Sequence, residues 1–515
     1  MGQPAGFNRM WADWMPPEGS TSPPAVLILD TFAATFWNGS NPQAALVKGP
    51  DGASYGSTMF GGASGYGTLF KIRPDGTFTK LHDLTAADGQ LIYAALVVGP
   101  DGAMYGSAAQ GGASGFGTLF KVETNGSFTK LHDFNSADGD DPQGGLVVGL
   151  DGVLYGSTTY GGATGDGSPY SGYGTLFRLE TSGTFTKLHD LSATDGAWPY
   201  LALTVGSDGA LYGSTQGGGD AGSFYGNGTL FKLETNGAFT KLHDLNPSDG
   251  FASYAALALG ADGALYGSAV QGGTSGVGTL FRLETNGTFN KLHDFNSADG
   301  ANPVAALVIG PNGAMYGSTL GGGAYSKGTL FKLQSNGSFT KLHDLSSTDG
   351  SYPSAALLVG PDAAFYGSAA HDGTHGGGTL FRLDINGSFT KLHDYSNTDG
   401  ATPVAAMITG ANGVLYGCTA QGSFGNAGTL FGLETDGTFT ELFDFGSSPG
   451  ALPNSALVVG QDGALYGVTQ QGGAGGFGTL FKLQRNGTFT RLHDFGSPGG
   501  IYPAAALVLA RIFHS

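Results

Sequence analysis

The chain has 515 residues, of which 94 are glycine, 40% are apolar and only 12% are charged, with a net charge of −18. A chain of this length and uniformity outgrows a single hydrophobic core and points to a repeat architecture; its glycines keep no three-residue period, which excludes collagen, and its low charge excludes a disordered chain. With 22 Lys and Arg and no basic stripe to replace phosphate counterions, nucleic acid is excluded as a partner and anionic membrane surfaces are disfavoured.

Residues 1–24 are polar and Pro-rich without the apolar stretch of a signal peptide, and are expected to form a flexible segment. Residues 25–515 are expected to form one domain. Its first element, residues 25–32 (AVLILDTF), has the look of a lone strand. The tetrapeptide GTLF then recurs nine times, beginning at Gly67, Gly117, Gly174, Gly228, Gly278, Gly328, Gly378, Gly428 and Gly478. Around each lies the same sentence, seen at 305–345 as AALVIGPNGAMYGSTLGGGAYSKGTLFKLQSNGSFTKLHDL. It holds four strand-length segments, here called s1 (AALVIG), s2 (AMYGST), s3 (GTLFKL) and s4 (SFTKLHDL), bounded by Gly, Asn, Asp or Pro. No apolar stripe of helical spacing interrupts them, and no apolar run is long enough to span a membrane.

The s1–s2 turn (PDG, SDG, PNG) and the s3–s4 turn (TNG, SNG, ING) are tight, and Asn-Gly or Asp-Gly there predicts primed turns with positive φ. In an up-and-down sheet the longer s2–s3 and s4–s1 loops must then share the opposite face. Residues 504–510 (AAALVLA) resemble a lone s1. The expected fold is all-β: a β-propeller of nine four-stranded antiparallel blades in one closed ring, with the lone terminal strands completing closure. The s2 tyrosines (Tyr55 to Tyr466) and s3 phenylalanines (Phe70 to Phe481) are expected to pack between blades.

The run YGST–GG–GTLFKL–NGTFTKLHDF resembles the Gloeobacter–Verrucomicrobia tandem repeat over roughly residues 41–500. The resemblance implies a propeller-like fold in a bacterial, exported or surface-attached repeat protein, and no particular activity. At both ends the sequence departs from the family's pattern, and neither an export signal in residues 1–24 nor an anchor after Ser515 is expected from it. The double glycine is shared with kelch repeats, but the blade tryptophan of kelch is missing.

Candidate chemistry must be told apart from architecture. The His-Asp pair closing s4 (His82-Asp83 through His493-Asp494) recurs around the ring and becomes Phe443-Asp444 in the eighth repeat, which predicts a packing slot with a polar edge. The Asp-Gly loops after s4 are expected to form turns; Asp138, Asp140 and Asp141 make the densest group and the best, though weak, calcium candidate. A second weak metal candidate is His371, Asp372 and His375. The single cysteine, Cys418, fills a slot given to Ser or Val elsewhere and is expected to be a small buried side chain. Five of the seven Asn-Gly-Ser/Thr sequences fall in the s3–s4 turn, and with the bacterial source that the resemblance implies they are expected to serve turns rather than glycosylation.

Two insertions break the symmetry. The step from the s2 tyrosine to the next GTLF is 12 residues in seven repeats, 19 in the third (Tyr155 to Gly174) and 16 in the fourth (Tyr212 to Gly228). The lengthened loops carry Tyr170, Tyr173, Phe224 and Tyr225, and the s4–s1 loop between them adds Trp198 and Tyr200. Aromatic rings on a rigid scaffold suit the apolar faces of sugars. The expectation is a non-catalytic extracellular binding or scaffold protein with no cofactor, taking glycans or other surface proteins as partners. The alternatives are a fibre or surface layer joined by terminal strand addition and, with less support, a polysaccharide-acting enzyme, for which no unique carboxylate pair stands out.

Overall fold

The computed structural model describes residues 27–28, 46–219, 226–251 and 256–495, apart from single positions 397, 404, 424, 447, 454, 461 and 485. These residues form nine antiparallel four-stranded sheets following one another along the chain, a β-propeller of nine blades with no helix among the described residues. Blade six shows the pattern: s1 is Val308–Ile309, s2 Met315–Thr319, s3 Thr329–Leu333 and s4 Phe339–Asp344. The s1 strand is shorter than its apolar segment, because the residues before it belong to the loop crossing from the preceding blade. In every blade s4 carries a bulge at the same place, between the partners of Leu330 and Phe331 in blade six.

Adjacent blades meet through the predicted aromatics. Tyr155 of blade three packs with Phe231 and Leu211 of blade four, and Tyr366 of blade seven with Phe431 of blade eight. All of these rings are buried, and each removes apolar surface worth about 1.5–3 kcal/mol from water. The glycine after each s2 tyrosine makes room for them: a Cβ on Gly317 would stand 2.6 Å from Phe331 Cζ.

The ring closes, and blade packing closes it. Tyr466 and Leu480 of blade nine share a core with Leu46 and Phe70 of blade one, as any neighbouring pair does. The Tyr466 hydroxyl reaches the Pro74 carbonyl at 2.8 Å, and Lys482 Nζ donates to the same oxygen at 2.7 Å. The terminal strands were expected to complete closure by pairing with the opposite end of the chain, and Leu27–Ile28 do pair with the last blade, as a fifth strand parallel to Phe489–Asp494, although blade nine builds its own four strands from its own repeat. Residues 504–510 lie outside the described residues, as do residues 1–24.

Both tight turns differ from the predicted primed type. The glycine alone takes positive φ (Gly52 +77°, Gly126 +96°), while the preceding Asp or Asn does not. The acidic or amide oxygen instead accepts the backbone N–H two residues on, as in Ala53 N to Asp51 Oδ1 (3.1 Å) and Ser127 N to Asn125 Oδ1 (2.8 Å). The turn is therefore a three-residue loop ending in a glycine bulge, with Asn or Asp selected as an acceptor.

Candidate functional site

Most of the recurring polar residues hold the ring together. On the hairpin face, seven of the s2 tyrosines meet a turn carboxylate of their own blade, as Tyr155 donates to Asp151 at 2.7 Å and Tyr466 to Asp462 at 3.1 Å, while Tyr316 and Tyr416 accept from the amides of Asn312 and Asn412. Several also reach the s3–s4 turn of the next blade, as Tyr316 does at the Ile385 carbonyl (3.0 Å). At the outer rim, each s4 histidine stacks flat on the first phenylalanine of the next s4. His82–Phe128 centroids are 3.9 Å apart, His293–Phe339 3.5 Å, and His493–Phe78 close the circle at 3.9 Å. Phe443 stacks on Phe489 in the same way, at 3.5 Å.

In the first seven blades the partner of the histidine is the loop carboxylate six residues on, not the adjacent aspartate. His243 Nε2 lies 2.8 Å from Asp249, and His132 Nε2 3.2 Å from Asp138. The adjacent aspartate pairs with the s4 lysine, as in Lys80–Asp83 at 2.6 Å, and accepts Ala63 N. Burial lowers the pKa of His293 and His393, and takes that of the deeply buried His493 down to about 3. Cys418 Sγ donates to the Pro453 carbonyl, where Ser318 and Ser368 donate to Pro353 and Pro403.

The opposite face is built from the long loops, and there the blades differ. Each s4–s1 loop pairs with the s2–s3 loop of the following blade through short bridges such as Gln90–Gln110, Asp140–Tyr160 and Ala401–Gln421. The next residue of the loop takes a left-handed conformation although it is not glycine: Leu91, Asp141, Trp198, Asn302, Tyr352, Thr402 and Leu452 all have φ between 56° and 61°. Such a conformation costs on the order of 1 kcal/mol or more and persists only where neighbours enforce it. Here two backbone bonds do so, one to each adjoining blade. Asp141 N donates to the Phe116 carbonyl of blade two, and Thr159 N of blade three donates to the Asp141 carbonyl, both at 3.1 Å. Trp198 is held likewise between Tyr173 and Gln216. The fold thus fixes a ring of chemically varied side chains around one face.

In one sector this ring meets the insertion of blade three. Asp140 and Asp141, 3% and 4% exposed, are the only buried carboxylates among the described residues. Asp140 accepts the Tyr170 amide at 2.6 Å, and Asp141 accepts Gln143 Nε2 at 2.7 Å. The Tyr170 ring, 50% exposed, stands edge-on to Tyr160 with centroids 5.5 Å apart, and its hydroxyl accepts from Gln110 Nε2 of blade two. The Tyr160 and Tyr200 hydroxyls lie 3.1 Å apart. Tyr93, 37% exposed, borders the same patch; burial and then the Asp141 charge raise its pKa. Burial raises the Asp140 pKa, and burial with the Asp140 charge pushes Asp141 up to about 6.

The sequence candidates sort unevenly onto this patch. Tyr170, Tyr200, Asp140 and Asp141 come together; Tyr173 and Trp198 flank them, half-buried and joined backbone to backbone. Asp138 stays apart, capping its own turn through Asn135 and His132. Phe224 and Tyr225 lie outside the described residues. His371 stands edge-on to Tyr352 at 5.5 Å, Asp372 pairs with Lys327 at 2.8 Å, and His375 is exposed. Among the described residues no group of three His, Cys, Asp or Glu side chains is arranged to hold a metal ion. Tyr93, Gln110 and Tyr160 went unnoticed in the sequence; aligning the repeats would have found the last two, since both precede the double glycine and face the s4–s1 loop.

The Gloeobacter/Verrucomicrobia repeat profile matches residues 17–220, 168–310 and 306–512. The chain belongs to this repeat family. No curated protein matches it. Solved propellers similar to this family member include a periplasmic gluconolactonase of Pseudomonas aeruginosa, 15% identical over 68% of this chain and 94% of that one, with a TM-score of 0.37. A puromycin-hydrolysing peptidase of Mycobacterium tuberculosis is 11% identical over 76% of this chain and 62% of that one (TM-score 0.38). Dipeptidyl peptidase 4 of Porphyromonas gingivalis is 10% identical over 72% and 56% (TM-score 0.43).

Proposed function

We propose that this repeat protein is a non-catalytic, extracellular binding platform that takes a carbohydrate on the long-loop face between blades two and four. The observation that carries this reading is the rigid presentation of Tyr170. Its ring is half exposed while its amide and hydroxyl are fixed by Asp140 and Gln110. A ring immobilised before the ligand arrives loses little entropy on binding, and its flat face suits the C–H face of a sugar. Tyr93, Tyr160 and Tyr200 extend the surface, and Gln110 and Gln143 supply hydrogen-bonding groups at its edge.

A binding role also accounts for the carboxylates better than glycoside hydrolysis does. Hydrolysis requires two carboxyl groups facing each other across the scissile bond. Asp140 and Asp141 are neighbours on one loop, and each is tied to an N–H donor. Assembly by exchanged terminal strands has less support, because Leu27–Ile28 already pair within their own chain.

Glycan-array binding of the full chain tests the proposal. Tyr170→Ala is expected to abolish the glycan signal while leaving the melting temperature within a degree or two, the usual range for an exposed side chain. Binding that survives Tyr170→Ala together with Trp198→Ala and Tyr173→Ala would place the ligand elsewhere.

A further inference from the structure

We infer that the patch selects a sugar carrying a free ammonium group, a deacetylated amino sugar, over a neutral or N-acetylated one. The inference rests on the carbohydrate-binding reading above and adds the charge of the ligand. Among the described residues Asp140 and Asp141 have no cationic partner: burial, hydrogen bonds to N–H donors and their mutual repulsion are the influences acting on them. Most carboxylates of the s2 turns and of s4 are matched by cations, as Asp51 is by Lys71, Asp101 by Lys121 and Asp262 by Arg282, and Glu441 beside Asp444 in blade eight is an exception outside the patch. Two adjacent buried anions without a counter-ion are costly, and a cationic guest removes that cost.

The surroundings favour an organic cation. Tyr160 and Tyr170 present ring faces and edges beside the carboxylates, and an ammonium is drawn to the negative face of an aromatic ring. A hard metal ion would need six or more oxygens, yet one oxygen of each carboxylate is already engaged by Tyr170 N or Gln143 Nε2. A second polar group beside the pair is unpaired among the described residues. Thr159, whose amide bonds to the Asp141 carbonyl, is wholly buried, and its hydroxyl has no hydrogen-bond partner. Buried hydroxyls are nearly always paired, so this one leaves unused hydrogen-bonding capacity directly behind the Asp141 loop.

The test is calorimetric titration of the full chain with a glucosamine oligosaccharide and with the N-acetylglucosamine oligosaccharide of the same length, at physiological salt. The amine form is expected to bind about tenfold tighter or more, the scale of one desolvated cation–carboxylate contact. Asp141→Asn is expected to erase that preference while keeping the weaker binding of the acetylated oligomer. Tyr93→Ala, which leaves the loop hydrogen bonds intact, should weaken the amine form several-fold. Equal binding of the two oligomers, with Tyr170 still required, overturns the inference and spares the carbohydrate reading. A preference that survives Asp141→Asn reports only attraction to an acidic protein, and also overturns it. Displacement of the amine by millimolar calcium makes the pair a metal site and does the same. If neither oligomer nor any arrayed glycan binds, both readings fall.

Discussion

The two faces of the disc obey different rules. On the hairpin face, the s2 Tyr and a turn Asp or Asn recur blade after blade, and the contacts between blades four and five are those between nine and one. On the long-loop face, a shared backbone frame carries Leu, Asp, Trp, Asn, Tyr or Thr at one strained position. One face therefore supplies cohesion, and the other supplies differences between blades at little structural cost. Function on a symmetric scaffold should be sought where the symmetry fails.

The largest effect expected from this contrast lies in the shared core. Phe331 of blade six and Phe431 of blade eight are both buried between their s2 glycine and the preceding tyrosine. Phe331→Ala and Phe431→Ala should each destabilise by about 3–5 kcal/mol, the usual cost of emptying an aromatic site. Thermal unfolding should show similar losses for the two. A several-fold difference between them would show that the blades are not energetically equivalent, and the comparison between faces would lose its reference.

A smaller effect of opposite sign is expected at Asp141. Its folded pKa of about 6 lies above the ordinary carboxylate value of about 3.9, so between those values the native state holds the proton more tightly than the unfolded chain. Stability contributed by the protonated form is present below about pH 4 and lost as pH rises through 6. Asp141→Asn keeps an acceptor for Gln143 but removes the charge. It should stabilise the protein by up to about 3 kcal/mol at pH 7.5 and by almost nothing at pH 4, read as melting temperatures of the two proteins across that range. Site residues that weaken the fold are a recurring mark of function. An unchanged difference between the two proteins from pH 4 to 7.5 would mean that Asp141 carries no buried charge.

Much of this architecture was legible in the sequence because repetition separates structural residues from the rest. Nine copies of GTLF fixed the blades, and Phe443 in a histidine slot marked that position as packing with a polar edge, while the stacking on the next blade emerged only from the structure. Other features escaped for physical reasons. The left-handed residues were invisible because six of the seven described ones precede a proline, which ordinarily drives the preceding residue to extended conformations. The override comes from hydrogen bonds to residues of two different blades. Asp138 was grouped with Asp140 and Asp141 by proximity in sequence, but Gly139 turns the chain between them, with φ +148°. The patch likewise joins Tyr93, Gln110 and Tyr170, up to 77 positions apart, which only ring geometry brings together.

The smallest effect is expected where the repeat offers its own control. Phe443 occupies the histidine slot, stacks on Phe489 and dispenses with the loop carboxylate contact. His243→Phe should therefore preserve the stack on Phe289, now 3.8 Å between centroids, and lose only the 2.8 Å hydrogen bond to Asp249. That bond is worth about 0.5–1.5 kcal/mol, part of it returned because Asp249 also bonds Asn246. His243→Ala loses the stack as well and should cost roughly twice as much. If the phenylalanine variant proves as damaging as the alanine one, the imidazole is needed for its nitrogen rather than its ring. The recurring histidines would then regain a claim to chemistry, and the division between a cohesive scaffold and a single distinctive patch would have to be redrawn.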